Sequence, residues 1–408
     1  MNTLSTNVEE LVNKVTKEND FKDFNVEVVK SVSNDGDGYI GILQGLCIRD
    51  KNKQKELNLV IKEAPRSVKL RSQFPTREAF IREIYFYKHI YPGFTKFQEK
   101  YQISNPFNNV ANFYGSCDED FKEILLLENL KTSGYRLYKK TELMDSEHLT
   151  IGFTAYARFH AISHAMKHLE PETFRALTKE ARVHPFMQNP KIIETITTKT
   201  ATSGMYAASL EAVKDKPLLR AAIERAKADA NDTCQILYHC LDDESSVLVH
   251  ADCWNTNLLF KYQDEKSKIP LDIKLIDWQI CQISTPIYDL SYFLFINADK
   301  KDLYQYSKYL KHYYAVMKEI LKEFGLELES FYPYDLLDKD FKKYCKLGFF
   351  VCQIMMQQAT TKGKTHDFVK MADEGQNLFD VKTRTSSSPT FQHRMSNLIE
   401  FLVDNGSI

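Results

Sequence analysis

Apolar and polar residues alternate at period two through Asn25–Ser33 (NVEVVKSVS), the pattern of a strand buried on one face. An amphipathic helix over Leu4–Glu18 precedes it. Tyr39–Ile48 and Glu56–Lys62 continue as strands, and three sequential strands with short connections predict an antiparallel meander. In Arg77–Ile90 the period changes. Phe80, Ile84 and Tyr87 recur three and four residues apart, one apolar stripe of a helix. Val110–Cys117 and Glu123–Glu128 predict two further strands, the second apolar enough for a central position. At Glu128-Asn129-Leu130 the pattern turns mainly helical, with long stripes in Leu149–His168 and Leu218–Leu241. Short strands at Ser246–Val249 and Ile273–Asp277 interrupt it, separated by a polar turn at Tyr262–Lys268. The pattern predicts an α+β chain: residues 1–128 an antiparallel sheet with a helix, residues 129–408 larger and mainly helical.

Composition narrows the class. Lys plus Arg total 54 against 55 Asp plus Glu, so a net charge of −1 gives no bulk attraction to nucleic acid. The opening MNTLSTNVEELVNKV has neither a basic nor an apolar segment of a signal peptide, which predicts a cytoplasmic protein. The apolar run Leu347–Met356 is too short for a span of roughly 20 residues and predicts a buried helix instead. The 8 cysteines show no metal-type spacing and are expected to be reduced and mostly buried. Thr383–Pro389 (TRTSSSP) predicts an exposed loop.

Candidate chemistry starts with His250-Ala251-Asp252-Cys253-Trp254-Asn255-Thr256-Asn257, an H-x-D-x-x-x-x-N string directly after the strand VLV. The spacing is that of a kinase catalytic loop: Asp252 placed to accept a hydroxyl proton, Asn257 to ligate magnesium. Alone, a surface turn with an Asn/Asp cap would give the same string. Ile273–Asp277 then ends a strand in an Asp twenty residues after Asn257, where kinases place a second magnesium ligand. Upstream, Lys62 closes the apolar strand LVIK and Glu83 lies in the following helix, a pair suited to clamp ATP phosphates. Gly36 and Gly38 sit in NDGDGYIG, between the first two strands, where small residues let backbone N–H groups approach phosphate; an ordinary hairpin turn would use the same residues. Glu128 and Leu130 stand at the strand exit, where main-chain groups can read adenine. His160 and His164 share a helix face, yet with no adjacent third ligand they read as core histidines. Asp289 reads as an N-cap or a brace for the catalytic loop.

Taken with their order, the strings GDGYIG (Gly36–Gly41), VIKEAP (Val60–Pro65), FIREIYFY (Phe80–Tyr87), LLLENLKTSGY (Leu125–Tyr135), FHAISHA (Phe159–Ala165), VHADCWNTNLLF (Val249–Phe260) and LIDWQICQISTPIYDLSYFLF (Leu275–Phe295) resemble the ecdysteroid-kinase-like, or CHK kinase-like, family. That family is related to choline kinases and aminoglycoside phosphotransferases. The resemblance implies a bilobal protein-kinase-like fold with a hinge near Glu128, ATP and Mg2+ as cofactors, and a cleft admitting a small hydroxylated substrate. It implies transfer of the γ-phosphoryl group to a steroid-like or other lipophilic hydroxyl, with a choline- or aminoglycoside-like kinase or a catalytically silent binder as alternatives. A monomer is expected. Three positions depart from the family pattern: His-Ala-Asp replaces His-Gly-Asp, Asp-Trp-Gln replaces Asp-Phe-Gln, and Glu-Asn-Leu replaces Glu-Asp-Leu. Only Ala251 raises a physical question, because alanine restricts a tight loop that glycine would leave free.

Overall fold

Alternation at period two sorts the side chains of the first sheet onto two faces. The computed structural model of the chain describes residues 4–29, 41–51, 55–188, 199–238, 243–264, 266–361, 368–376 and 388–408. Five strands, β1 (Phe24–Val29), β2 (Ile42–Asp50), β3 (Glu56–Glu63), β4 (Phe113–Cys117) and β5 (Ile124–Glu128), bond in the order β1-β2-β3-β5-β4, every pair antiparallel. Ile124 and Leu126 of β5 join Leu46, Ile48, Leu59 and Ile61 on the face covered by Val8, Val12 and Val15 of the Thr6–Glu18 helix. Each such buried aliphatic side chain contributes roughly 1.5–3 kcal/mol relative to exposure. Leu125 and Leu127 point the other way, into a core shared with Phe80, Ile84 and Tyr87. Lys62 pairs in register with Leu125. It therefore belongs to the second face, where the helix carrying Glu83 packs.

That helix is longer than its stripe predicted. It runs as an α-helix over Thr76–Tyr85, widens to a π turn over Phe86–Ile90 and resumes over Tyr91–Lys100. A proline inside a helix removes one donor and crowds the carbonyl four residues back. The π turn directly before Pro92 relieves that conflict.

In the helical part, the Pro286–Asn297 helix is buried on every side. Two glycines let it approach its neighbours: a Cβ on Gly152 would lie 2.2 Å from Phe293 Cζ, and one on Gly348 would lie 2.5 Å from the Tyr292 backbone nitrogen. Small strands complete the architecture. These are β6 (Tyr135–Leu137), β7 (Val247–Val249), β8 (Leu258–Tyr262), β9 (Pro270–Leu275) and β10 (Gln282–Ser284), forming sheets in the orders β10-β7 and β6-β8-β9.

Several boundaries differ from the pattern's reading. The Leu218–Leu241 stripe divides at Asp229 into helices Pro217–Ala228 and Ala230–Tyr238. Val110 makes a parallel bridge to Leu275, and its strand starts only at Phe113. β6, β8 and β10 were not expected; β6 and β10, three residues each, are too short for a period to show, and β6 meets its partner β8 more than a hundred positions away. The run Leu347–Met356 lies inside the Tyr334–Thr360 helix, and among the described residues no helix is long and apolar enough to cross a membrane. The described cysteines are unpaired and all but Cys117 are buried; Cys240 lies outside the described residues. So does most of Thr383–Pro389, whose last two residues start a helix, Ser388 Oγ accepting from Phe391 N at 3.1 Å.

Candidate active site

One ion pair ties the sheet to its own helix, and a second ties it to the helical part. Lys62 Nζ, at the end of β3, donates to Glu83 Oε2 at 2.6 Å and to Asp277 Oδ1 at 2.5 Å, partners 21 and 215 residues away in sequence. Lys62 is 8% exposed and Glu83 1%. Burial alone would push the ammonium toward neutrality. The charges of Asp277 and Glu83 outweigh it and hold Lys62 protonated, well above its ordinary value. One lysine shared by two carboxylates leaves an excess negative charge, and the deeper Glu83 is pushed up to about 7, chiefly by burial. Gly41 lies beside the lysine stem, where a Cβ would come within 3.3 Å of Lys62 Cγ. Gly36 and Gly38 lie outside the described residues.

Asp252 follows β7 in the turn that the H-x-D string predicted. Its Oδ2 accepts from Asn257 Nδ2 at 2.8 Å, and Tyr292, on the Pro286–Asn297 helix, donates its hydroxyl to Oδ1 at 3.4 Å. Burial of the carboxylate, then the charge of Asp277, push Asp252 up to about 8 against the pull of Asn257, Lys62 and Tyr292. Asn257 is anchored from both ends. Its Nδ2 also donates to the Asp252 carbonyl at 3.1 Å, and its own carbonyl accepts from Ile276 N at 3.0 Å, beside Asp277. Asn257 Oδ1 has no hydrogen-bond partner among the described residues, and Asp277 Oδ2 has only the 3.3 Å bond from Gln279 Nε2. Two hard oxygens from adjoining turns, with little else to satisfy them, suit a magnesium ion that takes its other ligands from phosphate and water. No group of three His, Cys, Asp or Glu able to hold a metal occurs among the described residues, so His160 and His164 form no such site.

The backbone of the His250–Cys253 turn hangs on Asp289. Its carboxylate accepts from His250 N (2.7 Å), Ala251 N (2.8 Å), Cys253 Sγ (3.2 Å) and His160 Nε2 (3.1 Å). Burial would raise this carboxyl, but the bonds and charge of His160, with His250 behind them, hold it below its ordinary value. The helix N-cap is Thr285, so Asp289 is the brace and not the cap. His250 donates through Nε2 to Ile276 O (2.9 Å) and accepts through Nδ1 from Asp252 N (3.2 Å). Those two bonds require the neutral ring, in line with burial lowering its pKa. The ring stands edge-on to Trp278 at 4.4 Å, and Trp278 stacks on Phe86 at 4.0 Å.

Ala251 and Asp277 both have φ of +69°. Aspartate tolerates this region through its short polar side chain; alanine is strained there by roughly 1–2 kcal/mol. A glycine at position 251 would meet no such strain, while the fully buried methyl group supplies an offset of about 0.8 kcal/mol. With glycine's added unfolded-state entropy the terms nearly cancel, so Ala251→Gly should change unfolding free energy by less than about 1 kcal/mol. Ala251→Val, β-branched at positive φ in a packed site, should cost about 2 kcal/mol or more. Denaturant melts of the two variants check this, and equal costs would remove the steric account.

At the exit of β5, Leu130 N donates to Glu128 O at 3.1 Å, and Leu130 O accepts from Ser133 N and Tyr135 N. The Glu128 carboxylate accepts from Ser133 Oγ at 2.7 Å and braces the same turn. Sequence reasoning missed Tyr292. The available signal was its spacing: it stands three residues after Asp289, on the same helix face.

A model of the ecdysteroid kinase-like family matches residues 35–326. No curated protein sequence matches the chain. Among solved structures, a GDP complex of a mutant aminoglycoside 2'-phosphotransferase, type IIIa, is 12% identical, aligns over 93% of this chain and 97% of its own, and gives a TM-score of 0.39.

Proposed function

The chain belongs to the ecdysteroid kinase-like family, and on that footing we propose that it is a small-molecule kinase transferring the γ-phosphoryl group of ATP to a hydroxyl of a steroid-like or other lipophilic acceptor. The observation that carries the reading is the Lys62 ammonium held between Glu83 and Asp277, next to the Asp252–Asn257 pair. No structural need explains a buried lysine shared by two acids, because hydrophobic residues of similar volume are often as stable or more so.

In this reading residues 1–128 hold the nucleotide and residues 129–408 the acceptor. Lys62, oriented by Glu83, holds the phosphate oxygens. The main chain at Glu128 and Leu130 receives adenine by exchanging its internal bond for bonds to the base. Asn257 Oδ1 and Asp277 would hold magnesium, which when bound neutralises charge on the transferring group. Asp252 takes the proton of the acceptor hydroxyl while that oxygen bonds to the γ-phosphorus and the bond to the ADP oxygen breaks. Asp289 fixes the loop from which Asp252 acts.

Tyr292 stabilises the Asp252 carboxylate by its hydroxyl. Tyr292→Phe should therefore raise the acid limb of the kcat/KM profile by up to about one pH unit, read from a pH–rate series. An unmoved limb would separate Tyr292 from the base. The reaction itself is tested by incubating the protein with ATP, magnesium and a pooled extract of hydroxylated metabolites, with mass spectrometry for products heavier by one phosphoryl group. Absence of any product, with ATP still bound, would favour a silent nucleotide-binding protein.

A further inference from the structure

One turn beyond Tyr292 along the Pro286–Asn297 helix, a cavity of about 370 Å3 opens beside the Tyr334–Thr360 and Pro389–Asp404 helices. Its walls include Phe295, Leu303 and Met356, each no more than 2% exposed. Arg394 also lines it and is only 8% exposed, while Lys301 and His393 stand exposed around it. The volume falls in the range of roughly 300–1,000 Å3 that small-molecule sites occupy, and the lining sets an apolar side beside a polar, mostly cationic one.

Arg394 is the unusual member. A guanidinium carries five N–H donors, yet its one hydrogen-bond or ion-pair partner among the described residues is the carbonyl of Ile296, reached through Nη2. Burial brings its pKa down to about 10, so it stays a cation at neutral pH. The other charges around the cavity do not answer it. Lys300 is neutralised by Glu400 at 2.6 Å, and Lys301 has no ion-pair partner among the described residues. Asp299, the one carboxylate of the lining, caps the next helix by accepting from Asp302 N at 2.8 Å. A buried cation without a counter-charge is costly, and an anion that enters with two acceptor oxygens can bond the guanidinium fork in parallel.

We propose that this cavity binds a small amphipathic anion, its carboxylate, sulfate or phosphate group on Arg394 and its apolar body against Phe295, Leu303 and Met356. The site is independent of the kinase reading, since none of these residues is assigned to phosphoryl transfer. Positive charge at Arg394 and Lys301 selects against an ammonium of the same shape, and the apolar walls select against a bare inorganic anion.

Calorimetric titration of the full chain with decanoate, decyl sulfate, decanol and decyltrimethylammonium, all below their micellar concentrations, tests the site. Both anions should bind saturably at one site, at least about tenfold tighter than the alcohol or the ammonium. Arg394→Met should weaken the anions at least about tenfold and leave the alcohol nearly unchanged, with Arg394→Lys in between. If Arg394→Met does not fold, Lys301→Glu, an exposed change, should still weaken the anions several-fold. A preference of carboxylate over sulfate, or the reverse, identifies the head group. Wild-type protein that ignores both anions or binds the ammonium equally well, or anion affinity that matches wild type in Lys301→Glu and in the Arg394 variants, would overturn the proposal.

Discussion

Asp252→Asn should lower phosphoryl transfer by roughly 10²–10⁴-fold, the range of a lost general base, while ATP affinity changes little. Asparagine keeps the shape of the side chain and a carbonyl oxygen for Asn257 Nδ2, so the turn need not move. It has no site for the acceptor's proton. The same substitution should also change stability with a definite sign. Asp252 is raised in the folded state from an ordinary 3.8 to about 8. Its contribution to stability is complete below the unfolded value and is lost as pH rises through the folded one. At pH 5 the wild-type carboxyl is still protonated in the fold, and at pH 9 it is a buried anion beside Asp277. Without nucleotide and magnesium, the melting temperature of Asp252→Asn relative to wild type should therefore rise by a few degrees between pH 5 and pH 9. Single-turnover rates and melts across that interval read both effects. Unchanged turnover would sink the assignment, and a pH-independent melting difference would show that Asp252 titrates normally.

The parts of this architecture written at short range were legible in the sequence. An apolar run placed Lys62 at the end of a strand, and period 3.6 placed Glu83 in a helix downstream; the fold sets a short helix, Val68–Gln73, between them and brings their charges to 2.6 Å. The string His250–Asn257 and the position of Asp277 just past a strand were legible because each motif is local and turn chemistry fixes it, although that strand ends at Leu275 and not at Asp277. What did not show depends on distant partners. β6 pairs with β8 across more than a hundred residues, and three residues carry no detectable period. The division at Asp229 has no proline or glycine to announce it. Tyr292 looked like one more core aromatic in an apolar helix until the packing brought its hydroxyl to Asp252. Arg394 was hidden for the same reason, since one arginine in a C-terminal helix gives no hint that it is buried without a carboxylate. The end of β5 at Glu128 was legible as a strand exit, but the Leu130–Glu128 bond within the turn after it was not.

Asp289→Asn should destabilise the fold by about 3–5 kcal/mol and abolish turnover, although Asp289 touches neither substrate nor metal in the proposed reaction. Four donors converge on this carboxylate: the backbone N–H groups of His250 and Ala251, the Cys253 thiol and His160 Nε2. A carboxylate has acceptor positions for all of them. Asparagine replaces one oxygen with an NH2 group, which then faces donors with a donor of its own. If the amide oxygen turns toward Ala251, where Oδ1 now also takes the Cys253 thiol, the NH2 meets His250 N and His160. If it turns toward His250, the NH2 meets Ala251 N and Cys253. Either way a buried N–H of the His250–Cys253 turn loses its partner, where Ala251 is already held at a φ of +69°. The strain at Ala251 persists only while its neighbours over-determine it, so the loop should relax first. Amide exchange at His250 to Cys253 should then accelerate more than exchange in the five-stranded sheet. His160→Gln, which can still donate to Asp289, should lose much less stability. A uniform loss of protection, or a variant as stable as wild type, would mean that the loop is held by the packing of Trp278 and Phe86 and not by the carboxylate.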